Sequence, residues 1–257
     1  MKKLTKALAV AAIAVSAAYT PAASAIDVAL ELALLVDVSG SVDGSEYGLQ
    51  KTGYINAFKD ANLQANIASL TGGIAVAYIE WSGSSQQSVE VNWTHITDAA
   101  SAIAFANAIQ ASTRNFAGAT APGSAINFVV ANSNPNSFFN NAFVGRRKVI
   151  DVSGDGEQND GANTAAARDA ALAAGIDAIN GLPILTPDYP NLDQWYQANV
   201  VGGPTGFLKV AANFASFEAA VFEKIGREIK PTPEPGSLAL AGLALAGVAG
   251  LRRRQRS

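Results

Sequence analysis

The 257-residue sequence contains no cysteine, which excludes disulfide bonds, thiolate metal sites and a cysteine nucleophile. Its formal net charge is −3, but the acidic character lies in the middle of the chain. Residues 26–230 contain 11 Lys and Arg against 20 Asp and Glu, a balance of −9. Such an acidic segment is unsuited to binding nucleic acid or anionic lipid.

The N-terminus has the three parts of a secretory signal peptide. Lys2, Lys3 and Lys6 precede an apolar stretch over residues 7–19, and Ala23-Ser24-Ala25 follows it. A positive segment, a short apolar segment and a small-residue cleavage site are typical of export signals. We therefore predict that residues 1–25 are a signal peptide and that the exported chain starts at Ile26.

The C-terminus is divided in a similar way. Residues 231–236 form a Pro-rich linker that contains Pro233-Glu234-Pro235, and residues 237–251 are all small or apolar. This fifteen-residue run is shorter than the about 17–25 residues of a usual spanning helix. The arginine-rich end that follows should stay cytoplasmic, which leaves residues 26–230 outside.

Pro-Glu-Pro, an apolar helix over residues 237–251 and a terminal arginine cluster together resemble the PEP-CTERM sorting signal of Gram-negative bacteria. The resemblance implies an exosortase as a partner, transient anchoring in the inner membrane and cleavage near Pro-Glu-Pro. It further implies delivery to the cell surface or the extracellular matrix. A plain C-terminal membrane anchor over residues 237–257 is the alternative.

Strands and helices alternate along residues 26–230. We predict strands at residues 32–36, 74–79, 88–93, 149–153, 176–185 and 206–210, the third of them an antiparallel edge strand. We predict helices at residues 46–62, 98–111, 122–130, 164–174, 189–201 and 214–229. This order indicates one α/β domain with a doubly wound, mostly parallel sheet and helices on both faces.

Three loops of this domain contain side-chain oxygens suited to a cation. Asp37, Ser39 and Ser41 follow the first strand, Asp155 follows the strand at residues 149–153, and Thr120 lies in a Gly-containing loop. The carboxyl ends of parallel strands meet at one edge of a sheet. All-oxygen ligands suit Mg²⁺, Mn²⁺ or Ca²⁺. By themselves, the residues after the first strand could equally form a turn that caps the next helix.

Asp-x-Ser-x-Ser, a separate Thr and a separate Asp resemble the metal-ion-dependent adhesion site (MIDAS) of von Willebrand factor A-type domains. The chain is most similar to a bacterial A-domain family of unknown function. That likeness rests on Gln50-Lys51-Thr52-Gly53-Tyr54, Ile79-Glu80-Trp81, the strand and loop at residues 149–156, and residues 179–184. The resemblance implies that Ser39, Ser41 and Thr120 contact the cation, with Asp37 and Asp155 acting directly or through water.

We therefore predict an exported, surface-associated adhesion protein that is not an enzyme. Its cation, Mg²⁺ or else Mn²⁺ or Ca²⁺, would engage an acidic group of a protein or polysaccharide. A metal-dependent hydrolase and a structural matrix protein are the alternatives. His95, the one histidine, is expected at the surface or in packing, and Asp151 is expected as a buried carboxylate within its strand.

Overall fold

The computed structural model describes residues 25–230, which form a five-stranded sheet in the order β4-β3-β2-β6-β7. Its strands are β2 (Leu30–Asp37), β3 (Ile74–Trp81), β4 (Gln87–Ile96), β6 (Lys148–Gly154) and β7 (Ala178–Pro183). Only β3 and β4 pair antiparallel, and β4 is at the edge. Two short strands, β1 (Ile26–Val28) and β5 (Phe143–Gly145), form a separate parallel pair. The predicted fold class is confirmed.

Helices cover both faces of the sheet because alternate residues of its apolar strands point to opposite sides. Leu32 and Leu34 of β2 belong to one core, whereas Ala33 and Leu35 belong to the other. The helices are α1 (Gly44–Lys59), α2 (Ala61–Ala68), α3 (Ala99–Ala111), α4 (Pro122–Val130), α5 (Thr164–Ala173), α6 (Leu192–Asn199) and α7 (Phe217–Ile229). The first core contains residues of α1, α2, α3 and α7, and the second contains residues of α4, α5 and α6.

The predicted helix over residues 46–62 is divided in the structure by Asp60. This residue has an extended backbone, which ends α1, and its carboxylate accepts hydrogen bonds from the backbone of Asn62 and Leu63 at 2.8 and 2.9 Å. Asp60 is thus the C-cap of α1 and the N-cap of α2. The apolar periodicity does not reveal the break, since an aspartate inside a helical pattern also reads as an exposed position.

The predicted strand over residues 206–210 is wrong as a regular strand. The segment runs parallel to β7, but only two isolated bridges form, between Gly181 and Leu208 and between Ile184 and Ala211. The backbone of Lys209 donates to Gly181 and that of Ala211 donates to Pro183. Pro183 has no N–H to return a hydrogen bond, so the ladder is interrupted between the two bridges.

Two predictions for the ends of the chain concern residues outside the described part. The structure describes only the last residue of the predicted signal peptide, and it describes neither the predicted linker nor the predicted C-terminal helix. Within residues 25–230, no helix has the length and apolar character needed to cross a membrane.

Gly53 allows α1 to approach α7 closely, and its replacement should reduce stability. A Cβ at Gly53 would lie 2.9 Å from a ring carbon of the fully buried Phe217. Overpacking of this kind costs about 1–3 kcal/mol, more than the about 1 kcal/mol of helix propensity that alanine adds. We therefore expect Gly53→Ala to lower the free energy of unfolding, measured by urea denaturation.

Gly48, on the exposed side of the same helix, is the matched control because a Cβ there would meet no atom within 4 Å. Gly48→Ala should therefore raise the free energy of unfolding by up to about 1 kcal/mol. A change in the same direction for both variants would contradict the close packing of α1 on α7.

Candidate metal centre

Asp37 is the last residue of β2 and lies in the interior, whereas Ser41, in the loop that follows, is at the surface. The Asp37 carboxylate accepts a hydrogen bond from the backbone of Ser39 at 2.7 Å. The next helix is not capped by these residues, because Asp43 accepts from the backbone of Ser45 and Glu46. The hydroxyls of Ser39 and Ser41 are therefore not used as helix caps, and the turn-and-cap interpretation does not account for them.

The structure brings the predicted site residues together at the carboxyl end of the sheet. The Ser41 hydroxyl donates to the Asp155 carboxylate at 2.7 Å, and the Ser39 and Ser41 hydroxyls are 3.1 Å apart. The Thr120 hydroxyl oxygen would lie 3.6 Å from a Cβ at Gly156, the residue after Asp155. Residues that are distant in the chain thus form one group of side-chain oxygens.

Hydrogen bonds between the loops hold this arrangement. The backbone of Gly40 donates to the Gly118 carbonyl at 2.8 Å, which joins the first loop to the Thr120 loop. Ser82, at the end of β3, accepts from the backbone of Gly118 at 2.7 Å. Arg114 donates to the carbonyls of Val38 and Ser39, both at 2.8 Å.

These supporting residues were missed by sequence reasoning. The position of Ser82 could have indicated its role, because Ser82 lies at the carboxyl end of a buried strand, as Asp37 does. Asn159, which accepts from the Thr120 backbone at 2.8 Å, had no comparable signal, because its loop has no regular pattern. Tyr196 was also missed, since its position in α6 reads as ordinary core.

The electrostatics of the site favour a positive ligand. Burial and, secondly, the neighbouring Asp155 carboxylate together raise the pKa of Asp37 to about 7. Burial also raises the pKa of Asp155. The Oδ2 atom of Asp37 is buried and accepts no hydrogen bond from the described residues. A buried carboxylate oxygen without a donor is costly, and a bound cation would remove that cost.

Close approach to Asp37 requires glycine at position 154. A Cβ there would lie 2.7 Å from Asp37 Oδ2 and 2.6 Å from the Tyr196 hydroxyl oxygen. The space beside this carboxylate oxygen is therefore enclosed by backbone and by a phenol, and no larger residue than glycine fits at position 154.

The residue types fit a hard divalent cation. Two carboxylates and three hydroxyls are oxygen ligands of the kind that Mg²⁺ and Mn²⁺ prefer. Among residues 25–230, no group of three His, Cys, Asp or Glu side chains could hold a metal ion. A cation at this site would need the hydroxyl groups as ligands beside Asp37 and Asp155. A bound cation would supply positive charge between the two carboxylates, and a coordination position left open by these side chains could accept an oxygen of a further anion.

Two other predicted residues lie apart from this group. His95 is on β4, where its Nε2 atom is 2.8 Å from the Gly72 carbonyl oxygen and its ring contacts Phe143. Asp151 is fully buried within β6, as predicted, and forms an ion pair with Lys224 that the sequence pattern did not reveal.

Comparison with known proteins identifies two regions of the chain. Residues 27–233 match the family described as protein of unknown function (DUF1194), and residues 231–254 match the PEP-CTERM protein-sorting motif. No curated protein sequence matches the chain.

Solved structures share the fold at low sequence identity. One is proximal thread matrix protein 1 from the mussel byssus with a zinc-occupied MIDAS motif. It has a TM-score of 0.53 and 14% identity, and the match covers 76% of this chain and 44% of that chain. Another is the pilus adhesin SpaC from Lactobacillus rhamnosus GG, with a TM-score of 0.53 and 17% identity, and this match covers 78% of this chain and 30% of that chain. A von Willebrand factor type A protein from Catenulispora acidiphila has a TM-score of 0.48, with 17% identity and 77% and 42% covered.

The chain spans less than half the length of each of these three structures. At such low identity, the two structures with TM-scores of 0.53 show a shared fold alone. The family match over residues 27–233 covers the whole five-stranded sheet and its helices. The chain therefore belongs to the DUF1194 family of proteins of unknown function, has a von Willebrand A-type fold and ends in a PEP-CTERM sorting motif.

Proposed function

We propose that this domain binds a divalent cation through Asp37, Ser39, Ser41, Thr120 and Asp155, and that the cation binds an acidic group of a partner. The partner is a protein or a polysaccharide at the cell surface. The observation that supports this most directly is the buried Asp37 carboxylate, whose Oδ2 atom accepts no hydrogen bond from the described residues and which lies near the Asp155 carboxylate. Two carboxylates in one enclosed site repel unless a cation or a proton separates them.

The ligand set leaves room for an external oxygen at the cation. The hydroxyls of Ser39, Ser41 and Thr120 are neutral ligands, so Asp37 and Asp155 can at most balance the charge of a divalent cation. Mg²⁺ takes six oxygen ligands, so these five side chains would leave a position for an oxygen of an external group. The Ser41 side of the site is exposed to solvent, which leaves an approach for an external group. Because residues 26–230 have a net charge of −9, an acidic partner is repelled elsewhere and its affinity must depend on this contact.

A binding role fits the described residues better than a hydrolase. In a metal-dependent hydrolase, the cation activates a water molecule and a nearby side chain such as histidine commonly transfers protons. The one histidine contacts Gly72 and Phe143, at the end of β4 that pairs with the beginning of β3, whereas the candidate site is at the carboxyl end of the sheet. Arg114, which contacts the loop, is used as a donor to the backbone carbonyls of Val38 and Ser39.

The sorting motif supports a location for this function. A PEP-CTERM motif at residues 231–254 implies an exported protein, exosortase processing and a surface location in a Gram-negative bacterium. The names of two fold neighbours, a thread matrix protein and a pilus adhesin, belong to those proteins. They make an adhesive or matrix role a reasonable proposal for this chain.

The test is capture of extracellular partners by the purified mature protein in Mg²⁺ and in EDTA. We expect partners to be captured in Mg²⁺ but not in EDTA. Ser41→Ala and Thr120→Ala should each reduce the affinity for the partner at least tenfold, which is about 1.4 kcal/mol of binding free energy. Both variants should stay folded, since each loses one hydroxyl from a loop. Ser69→Ala, at the end of α2, is the matched control and should bind like the unmodified protein. Capture that persists in EDTA and in Thr120→Ala would show that the partner binds elsewhere.

A further inference from the structure

A second group of charged side chains lies inside the domain, between α7 and the sheet. It consists of Lys224 and Glu228 on α7 and Asp151 in the middle of β6, and all three side chains have no exposed surface. The Lys224 Nζ atom is 2.5 Å from Asp151 Oδ1 and 2.7 Å from Glu228 Oε1. This group does not belong to the candidate cation site, and the inference from it does not depend on that site.

The surroundings leave the group isolated from solvent and short of hydrogen-bond donors. Asn180, on the neighbouring strand, donates to Glu228 Oε1 at 2.8 Å. Asp151 Oδ2 and Glu228 Oε2 are buried and accept no hydrogen bond from the described residues. The Phe207 ring lies 5.9 Å from Lys224 Nζ, and Tyr54 is close enough to Asp151 for their charges to interact.

One ammonium group faces two carboxyl groups here, which favours a proton on one of the carboxyl groups, although the Arg147 guanidinium also interacts with Glu228. Burial and, secondly, the Asp151 carboxylate raise the pKa of Glu228 to about 7, although Lys224 opposes the change. Burial raises the pKa of Asp151 as well, although Lys224 opposes that change. The interior therefore holds an amine, a carboxyl group in contact with it and a second carboxyl group able to carry a proton.

We propose that Lys224 and Asp151 are joined by an amide bond that forms within the folded domain, with Glu228 as the proton carrier. The carboxyl carbon of Asp151 is one C–O bond, about 1.2 Å, beyond the oxygen that Lys224 contacts, so nitrogen and carbon are at most about 3.7 Å apart. Reacting atoms held about 3–3.5 Å apart react as if at very high concentration.

The atoms balance without any other reactant. A proton first passes from the Lys224 ammonium to the Asp151 carboxylate, which leaves a neutral amine and a neutral acid. The nitrogen lone pair then forms a bond to the carboxyl carbon. Glu228 donates its proton to the departing hydroxyl oxygen and then accepts a proton from the nitrogen. The C–O bond breaks, one water molecule leaves, and Glu228 ends protonated as it began.

Burial favours the product over the starting groups. An ion pair without access to water keeps much of its desolvation cost, whereas an amide is neutral. The departing water leaves a site that is closed to solvent, so hydrolysis is disfavoured. The bond would tie α7 to the central sheet of a domain that has no cysteine and therefore no disulfide to serve this purpose.

Intact-mass measurement of the purified protein is the direct test. We expect a mass lower than that of the linear chain by one water molecule. Trypsin should leave a branched product that joins residues 149–168 to residues 210–227, because cleavage after a linked Lys224 is blocked. An unmodified mass together with normal cleavage after Lys224 would overturn the proposal, and this outcome does not depend on any variant.

Variants separate the roles of the three groups. Asp151→Ala and Lys224→Arg should each show the full mass of the linear chain. Glu228→Gln, which keeps the size of the side chain but cannot exchange the proton, should link at least tenfold more slowly after refolding. Linkage in Glu228→Gln at the unmodified rate would overturn the role of Glu228 as proton carrier.

The chain contains a matched internal control. Lys209 and Glu223 also form a close ion pair, but their side chains are 33% and 62% exposed. Trypsin should cleave normally after Lys209, because water there stabilises the charged groups. A cross-link at Lys209 would show that contact alone suffices, which would contradict the dependence on burial.

Discussion

Saturating Mg²⁺ or Mn²⁺ should raise the melting temperature of the mature protein by about 5–10 °C. A ligand at about 100 times its Kd adds about 2.7 kcal/mol to the free energy of unfolding. For a domain of this size, each kcal/mol corresponds to about 2–4 °C. The physical source of the increment is the repulsion between the buried Asp37 and its neighbour Asp155, which the cation replaces by attraction. Differential scanning calorimetry in metal and in EDTA measures it.

Asp155→Ala should abolish this metal-induced shift. The metal-free variant should be as stable as the metal-free unmodified protein or more stable, because one of two repelling carboxylates is gone. Asp27→Ala is the matched control, since Asp27 is an exposed residue of β1, before the start of β2, whereas the site follows the end of β2. An equal shift in Asp155→Ala and the unmodified protein would place the cation at another site.

The buried carboxyl group of Glu80 should make the domain lose stability as the pH rises. Burial raises the pKa of Glu80 from its ordinary value of 4.5 to about 7, although the Tyr47 hydroxyl, which donates to it at 2.8 Å, opposes the change. The folded protein therefore holds this proton more tightly than the unfolded chain does. The resulting stabilisation is fully present below pH 4.5 and is lost as the pH rises through about 7.

Glu80→Gln isolates this effect because glutamine is neutral throughout. The difference in free energy of unfolding between the unmodified protein and Glu80→Gln should change by about 2–3 kcal/mol between about pH 5 and 8, with the variant favoured at the higher pH. Urea denaturation in EDTA measures it, and other titrating groups cancel because both proteins contain them. Glu218→Gln, at an exposed position of α7, should show no such change. A pH-independent difference for Glu80→Gln would contradict the raised pKa.

Local patterns in the sequence were sufficient for the sheet and for the candidate ligands. The continuous apolar runs of β2, β3 and β6 predicted buried parallel strands. Asp37 lies at the carboxyl end of β2, and Asp155 follows the carboxyl end of β6. Parallel strands have a common direction, so residues after their ends must meet. The fold class and the proximity of the ligand residues could therefore be predicted before the structure.

Features that depend on contacts between distant residues could not be predicted. Arg114 supports the first loop through backbone carbonyls, which any sequence provides, so no side-chain pattern indicates it. Lys224 and Glu228 are four residues apart on α7 and read as an ordinary exposed pair. Only the packing of α7 on β6 shows that this pair is buried against Asp151.

The irregular pairing beside β7 has the same origin. Gly206 to Val210 has the composition of a strand, yet the missing N–H that interrupts its ladder belongs to Pro183 on the neighbouring strand. The sequence by itself determined the types of the main elements, and it gave the export segment, the sorting segment and the candidate ligand residues as predictions. The tertiary structure alone decided which charges are buried and which backbone groups find partners, because burial and hydrogen bonding depend on neighbours that are distant in the chain.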